Sequence, residues 1–193
     1  MRAAEEFLRE AENNCQEILM LLKDAMNLVA YYRRLLEHLE VDTLTGLPGD
    51  NKFRELMAEI GTKTAGIGII FFDVNDLKFY NDTQGHKAGD LLLQKASESI
   101  FHITGKNARA FRVGGDEFVV VVTDCDGLDE LNSMISKWRE KLAEINSSSD
   151  RIHCSVAVGA AVGFDGEAIS NVLEKADKLM YADKKRIKQG CVN

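Results

Sequence analysis

Two glycines and two carboxylates lie between two apolar runs in the segment FRVGGDEFVVV, Phe111 to Val121, and this pattern limits the possible folds more than any other in the chain. Paired glycines between apolar runs are a typical β-hairpin signal, and a charged pair at a turn tip is common. Taken alone, the segment is compatible with a simple structural turn or with a turn that carries out chemistry. The rest of the sequence decides between the two.

Apolar runs and amphipathic periods after residue 40 predict the fold class. The run IGIIFFDV fits a buried strand, and helical patterns alternate with further strands along the chain. The order α-β-α-β-β-α-β-α predicts an α+β domain with a mainly antiparallel central sheet flanked by helices, which we expect on one face. Strands are predicted at 67–74, 109–113, 118–123 and 152–164, and helices at 51–60, 84–103, 128–145 and 168–188.

The first forty residues have the heptad pattern of a long helix. Apolar residues recur in two rows, Leu8, Cys15, Leu22, Val29 and Leu36 in one and Ala11, Ile18, Ala25, Tyr32 and Leu39 in the other. A helix of this length would measure roughly 60 Å at 1.5 Å per residue, which exceeds the width of a small domain. We expect it to form a homodimer; docking on its own domain is the alternative.

The apolar stripe of this helix is wider than a two-stranded seam requires. The additional apolar residues are Leu19, Leu21, Met26, Leu28 and Leu35. The middle of the helix is therefore expected to pack against more than one neighbour. The segment VDTLTGLPGD then interrupts the period with Gly46, Pro48 and Gly49, which predicts an N-terminal helix at 1–40 and a separate domain at 41–193.

Composition excludes several classes of protein. The 193 residues carry a net charge of -7, which argues against nonspecific nucleic-acid binding. Cys15, Cys125, Cys154 and Cys191 are widely spaced, so neither a zinc site nor a disulfide framework is indicated, and we expect free thiols in the cytoplasm. No signal pattern or membrane-spanning run occurs, and no direct membrane contact is expected. The chain is compatible with the soluble part of a larger sensor protein whose sensor domain lies elsewhere.

Three carboxylates are expected to converge at one edge of the sheet. Asp73 ends the predicted buried strand, and Asp116 and Glu117 occupy the hairpin turn. Such a cluster repels itself unless a cation lies between its members, and hard oxygen ligands without His or Cys suit Mg²⁺ or Mn²⁺. A magnesium ion held by few carboxylates normally shares its coordination with substrate phosphates.

Four blocks of the sequence together resemble the GGDEF-domain diguanylate cyclases. The blocks are VDTLTGL, FFDVNDLKFYNDTQGHKAGD, RVGGDEF and ADKLMYADKKRIK, in the order and spacing of that family, from about Asp42 to Lys188. The resemblance implies a nucleotidyl cyclase palm with a ferredoxin-like core. It also implies that two domains, each holding one GTP, face each other and form cyclic di-GMP and two pyrophosphates.

The resemblance assigns roles to residues around the turn. Asp73 and Asp116 match the metal-binding carboxylates of the family, and the main-chain carbonyl of Val74 matches a further ligand. Glu117 matches the acidic residue near the metal and the attacking 3′-hydroxyl. For Gly114 and Gly115, the missing Cβ atoms are expected to allow positive φ and a close approach of the nucleotide.

Other matched residues would bind the rest of the GTP molecule. Asn81 and Asp90 resemble the guanine-reading pair of the family. A carboxylate can accept from N1–H and the 2-amino group of guanine, whereas adenine has an acceptor at N1 and no amino group at C2; solvated loop residues are the alternative. Lys184 and Lys188 lie four apart on one helix face and resemble the phosphate-binding cations of the family. Lys78 is a third candidate cation. Taken without the resemblance, Lys184 and Lys188 fit a solvated basic helix end better, but the family register favours phosphate binding for Lys184.

The sequence also departs from the family pattern. Ile187 and Lys188 replace the usual Gly-Arg, so a bidentate phosphate contact becomes a point charge. Asp76 replaces a common aromatic, and Gly49-Asp50 replaces Asn-Arg. Gly105 and Ala108 stand where product-inhibited members carry Arg and Asp, so feedback inhibition is expected to be weak.

These departures keep two other functions open. The domain could be a weak or inactive module that binds GTP and signals without turnover. Alternatively, the long helix could be the working part and the domain its cargo. The intact carboxylates and guanine-reading residues favour the enzyme over both.

Overall fold

A computed structural model describes residues 2–60, 66–147, 152–164 and 166–190. The chain divides into two compact units, Met1–Glu40 and Val41–Asn193. The first unit is the helix α1, Arg2–Leu39, which contains neither Gly nor Pro. Over the described residues, no helix is both long and apolar enough to cross a membrane.

The second unit is built on a four-stranded antiparallel sheet in the order β2-β3-β1-β4. The strands are β1 Ile67–Val74, β2 Ala108–Arg112, β3 Glu117–Val122 and β4 Val156–Gly163. The helices are α2 Asp50–Ile60, α3 Leu77–Gln84, α4 His86–Phe101, α5 Leu128–Asn146 and α6 Ile169–Lys188. All eight residues of β1 are buried, as expected of a strand in the middle of a sheet that is covered on both sides.

Helices cover both faces of the sheet. Ile70 and Phe72 of β1 pack into a cluster with α4 and α5, whereas Ile69 and Phe71 pack into a second cluster with α2 and α6. The expectation of helices on one face was therefore wrong. A continuous apolar run such as IGIIFFDV has no polar face to leave in water, so each of its faces needs a helical layer.

Two helices occupy the segment that follows β1, where the sequence predicted a loop and then one helix at 84–103. The helix α3 ends at Gly85, which adopts φ 85°, and α4 begins at His86. Asp76 precedes α3 in the left-handed conformation, φ 61°, which Asp tolerates better than most residues. The glycine break and the eight-residue length of α3 explain why periodicity alone did not find it.

Candidate active site

The end of β1 and the start of β3 lie side by side at one edge of the sheet. The antiparallel register pairs Asp73 with Glu117, and the amide of Val74 donates a 2.9 Å hydrogen bond to the carbonyl oxygen of Asp116. Asp73 is buried, with 6% of its surface exposed. The glycine turn is thus hydrogen-bonded to β1, the strand that carries Asp73, a predicted metal ligand.

The turn itself differs from its predicted geometry. Its backbone is closed by hydrogen bonds from the amides of Val113 and Gly114 to the carbonyl of Glu117, at 3.0 and 3.3 Å. Neither Gly114 nor Gly115 has a positive φ, so that expectation was wrong. Gly114 instead makes room for a side chain, because a Cβ there would lie 2.6 Å from Oε2 of Glu117 and would displace that carboxylate, whereas Gly115 faces open space.

The loop of the DTLTG block anchors this turn from outside the sheet. Oδ1 of Asp42 accepts hydrogen bonds from the amide and hydroxyl of Thr45, at 2.8 and 2.6 Å, and from Nη1 of Arg112 at 2.9 Å. Nη2 of the same arginine donates to the carbonyl of Gly115 at 2.6 Å. Burial opposes ionisation of Asp42, but these hydrogen bonds outweigh it and lower the pKa of the carboxyl group. An ionised Asp42 therefore fixes Arg112 against the turn.

The last helix supplies cations to the same edge. Nζ of Lys184 lies 2.6 Å from Oδ1 of Asp73. Lys188, one helical turn later, borders the same cleft of about 390 Å³. The cleft is lined by Asp73, Glu117, Asp177, Met180, Tyr181, Lys184, Lys185 and Lys188. Ile187, which stands where the family usually has glycine, is partly buried. Its side chain packs against the core cluster of α2 and α6.

The two paired carboxylates have perturbed proton affinities. Burial raises the pKa of Asp73, and the hydrogen bond and charge of Lys184 only partly oppose it. Burial also raises the pKa of Glu117, and repulsion from Asp116 and Asp73 adds to the shift. Both groups would be stabilised as anions by a further positive charge at this edge.

Two carboxylates at this edge of the sheet have the donor atoms that suit a divalent cation. The predicted convergence of three carboxylates is not found, because within the described ranges no three His, Cys, Asp or Glu side chains are close enough to hold a metal together. Asp73 and Glu117 line the cleft, and Asp116 acts on both through its charge. Two hard carboxylates fit an ion such as Mg²⁺, which completes its coordination with phosphate and water.

The predicted guanine-reading residues lie on the α3–α4 helix pair and not in a loop. Asn81 belongs to α3 and the exposed Asp90 belongs to α4. A Cβ at Gly89 would lie 2.1 Å from Oδ1 of Asn81, so the absent side chain lets the amide of Asn81 pack against the backbone next to Asp90. Lys78 is exposed on α3. The structure thus brings Asn81 to the helix turn that carries Asp90.

Sequence reasoning missed four residues that line the cleft, the buried Met180 and three with polar side chains. Asp177, Tyr181 and Lys185 share a face of α6 with the two predicted lysines, at helical spacing. Nζ of Lys185 lies 4.4 Å from the ring centre of Tyr181, within cation–π range. Helical spacing was the signal that could have identified them, because Tyr181 lies three residues before Lys184 and four residues from both Asp177 and Lys185.

The sequence of this chain is similar to those of known proteins. Residues 39–189 match the family described as diguanylate cyclase, GGDEF domain. The chain is 28% identical over 186 residues to the signaling protein YkoW of Bacillus subtilis, and 27% identical over 194 residues to diguanylate cyclase A of Treponema denticola. These alignments cover 93% and 95% of this chain but 23% and 51% of the two relatives. The chain therefore spans about half or less of the curated relatives it matches.

Solved structures share the fold. The coiled coil and GGDEF domain of DgcB from Caulobacter crescentus, in complex with c-di-GMP, has a TM-score of 0.71 at 24% identity, over 85% of this chain and 92% of that one. A diguanylate cyclase/phosphodiesterase from Caldicellulosiruptor saccharolyticus has a TM-score of 0.62 at 26% identity, over 78% of this chain and 91% of that one. The predicted fold class is confirmed.

Proposed function

The chain belongs to the GGDEF domain family of diguanylate cyclases, and from this premise we propose that it condenses two molecules of GTP into cyclic di-GMP with release of two pyrophosphates. The observation that carries the proposal is the pairing of Asp73 with Glu117 at a cleft that also contains Lys184 and Lys188. This edge of the sheet combines carboxylates that can bind a metal ion with lysines that can bind phosphate. Phosphoryl transfer depends on this kind of charge stabilisation and positioning.

Each half of the reaction makes and breaks one bond. The 3′-oxygen of one GTP forms a bond to the α-phosphorus of the other, the bond from that phosphorus to the bridging oxygen of pyrophosphate breaks, and the hydroxyl proton must leave. Glu117 is the group proposed to take this proton, because its carboxylate lines the cleft beside Asp73. The reciprocal attack closes the ring.

The carboxylates of Asp73 and Glu117 and the carbonyl of Val74 are proposed to hold Mg²⁺ or Mn²⁺, and the negative charge of Asp116 beside them adds to the attraction for the cation. The ion would lower the pKa of the attacking hydroxyl and neutralise negative charge on the phosphates. Arg112 and Asp42 keep the glycine turn in place from outside the cleft.

The remaining contacts concern substrate position. Lys184 and Lys188 are proposed to bind the phosphates, with Lys78 as a third cation, and the pairing of Lys184 with Asp73 holds its ammonium at the cleft before substrate arrives. Asn81 and Asp90 are proposed to read the guanine edge. A substrate without the donors that Asp90 pairs with would lose these hydrogen bonds, which typically contribute about 0.5 to 1.5 kcal/mol each.

The reaction needs two domains, so association is part of the proposal. The helix α1 is proposed to pair two copies of the chain through its heptad rows. Pairing replaces a bimolecular encounter of two domains with a high effective concentration. A sensor domain elsewhere in a longer protein would then act through the geometry of this helix.

One observation favours a second candidate function, a GTP-binding module without turnover. Lys188 stands where the family usually has an arginine, so one phosphate loses a bidentate contact, and weaker alignment of the α-phosphate would reduce the rate. A guanine nucleotide could still bind through the same residues.

Product analysis separates the two candidates. The purified chain is incubated with GTP and Mg²⁺, and the nucleotides are separated by chromatography. Cyclic di-GMP and pyrophosphate are expected from the wild type, and none from Glu117→Gln. Glu98→Gln is the matched control, because Glu98 is exposed on α4 and outside the cleft. Bound but unchanged GTP in the wild type would favour the module.

A further inference from the structure

The middle of α1 has an apolar face that is too wide for a two-stranded coiled coil. In heptad notation, with a at Cys15, Leu22 and Val29 and d at Ile18, Ala25 and Tyr32, the flanking e and g positions are also apolar. The e positions are Leu19 and Met26, and the g positions are Leu21 and Leu28. In two-stranded coils, e and g usually carry charged residues at the rim of the seam.

The opposite side of the same segment is mostly polar. Positions b, c and f hold Gln16, Glu17, Lys23, Asp24 and Asn27, and the exceptions are Met20, Ala30 and Tyr31. The helix is therefore not apolar all round. Four of the seven heptad positions form one continuous apolar face, and three form a face suited to water.

The four e and g side chains are free to accept a partner. Leu19, Leu21, Met26 and Leu28 are each more than half exposed. In a two-stranded coil, rows a and d fill the seam and rows e and g stay at its margins. Pairing two helices would leave two apolar strips along about 20 Å of the pair, taking 1.5 Å per residue over fourteen residues.

We infer that residues 15–32 form a four-helix interface, in which two pairs of α1 helices from four copies of this chain bury their e and g rows against each other. One a/d layer of the segment agrees with this state, and the other a and d positions hold Cys15, Ala25, Val29 and Tyr32. Leu22 at a combined with Ile18 at d belongs to the combinations that shift coiled coils from two strands towards three or four. No d position in 15–32 is leucine, the residue that favours two strands when Val or Ile occupies a.

The same rows indicate that the occupant is another copy of this chain. Partner choice in coiled coils is set largely by complementary charges at e and g. Between Leu19 and Leu28 these positions carry no charge, so nothing selects a different helix over an identical one.

The inference rests on the proposed pairing through α1. A mass measurement distinguishes failure of the four-helix interface from failure of the pairing. Light scattering after size exclusion, or sedimentation equilibrium, is performed on the full chain across a range of concentrations. The expected species has four times the mass of one chain at high concentration and dissociates to twice that mass on dilution. A species that never exceeds twice the chain mass contradicts this inference alone. A monomer at every concentration contradicts the pairing as well.

Matched variants locate the interface. Leu21→Glu with Leu28→Glu is expected to stop at the paired state and to retain cyclase activity, because rows a and d remain intact. Gln16→Glu with Asn27→Glu adds the same charge on the polar face and is expected to form tetramers like the wild type. Equal masses for the two double variants would overturn the inference.

Disulfide formation at Cys15 tests whether α1 still folds and pairs in the Leu21→Glu, Leu28→Glu variant. Cys15 lies at position a and is an exposed free thiol, so mild oxidation of paired helices should link two chains. The Leu21→Glu, Leu28→Glu variant should still form this link, and addition of Cys15→Ser should remove it. If the Leu21→Glu, Leu28→Glu variant no longer forms the Cys15 disulfide, the g row is also needed for pairing. That result would contradict the inference.

Discussion

The ammonium of Lys184 lies 2.6 Å from the carboxylate of Asp73 and joins the last helix to the end of the central strand. The contact links positions 111 residues apart, and it places a cation beside the buried acid at the edge of the sheet. This pair defines the cleft for which we propose GTP condensation.

Replacement of Lys184 by alanine should mainly weaken substrate binding. Loss of one charge-assisted hydrogen bond costs about 1.5 to 3 kcal/mol, which corresponds to roughly a tenfold to hundredfold loss in kcat/KM. Lys184→Arg should recover part of the loss. Lys178→Ala is the control, because Lys178 is exposed on the same helix and pairs with Glu174. An unchanged kcat/KM in Lys184→Ala would contradict the assignment of this lysine.

Glu117→Gln should abolish turnover and yet increase stability at neutral pH. The folded-state pKa of Glu117 is raised, so ionisation of this group costs the folded protein free energy. The cost is absent below the ordinary glutamate pKa and is complete above the raised folded value. The stability advantage of the variant should therefore appear as pH rises through that interval and vanish in acid. Thermal unfolding in chelator-containing buffer measures it, with Glu98→Gln as the control. A variant less stable than the wild type at pH 8 would contradict the account.

Gly89→Ala should raise the KM for GTP without unfolding the domain. A methyl group at this position would displace the side chain of Asn81, whereas alanine itself favours the helix by roughly 1 kcal/mol over glycine. Steady-state kinetics and thermal unfolding together test this combination. Gly105→Ala is the matched control, because a Cβ at Gly105 meets no atom within 4 Å. Equal KM values for the two variants would argue against a role of Asn81 in substrate binding.

Product should bind weakly outside the active site. Ala108 is buried in the core at the start of β2, and Gly105 is exposed but has no side chain, so neither matched position can grip a cyclic dinucleotide. Arg109 is exposed on the opposite face of the strand. Calorimetric titration of the metal-free protein with cyclic di-GMP should show no tight site. Submicromolar binding that survives Asp90→Ala would reveal a product site that this account lacks.

The sequence alone predicted those features that depend on local pattern. The run IGIIFFDV indicated β1, and the glycines at 114 and 115 indicated the hairpin, because apolar runs and paired glycines determine local backbone structure directly. The grouping of Asp73 with Glu117 also followed, since both residues lie at strand ends next to one turn.

Features that depend on tertiary packing were not predictable in this way. The contact of Lys184 with Asp73 joins distant parts of the chain, and the packing of Asn81 on Gly89 requires α3, which periodicity did not detect. Gly114 was expected to serve backbone conformation, but it makes room for the side chain of Glu117, which only the folded turn reveals.

The most direct test of the central claim is the isotopic composition of the product. The full chain is incubated with Mg²⁺ and equal amounts of unlabelled and uniformly ¹⁵N-labelled GTP, and the nucleotides are analysed by mass spectrometry. Condensation of two GTP molecules predicts cyclic di-GMP in three masses, with the mixed form twice as abundant as either pure form, and two pyrophosphates per product. Recovery of the two GTP pools unchanged, or their conversion to GDP alone, would contradict the claim that this chain is a diguanylate cyclase.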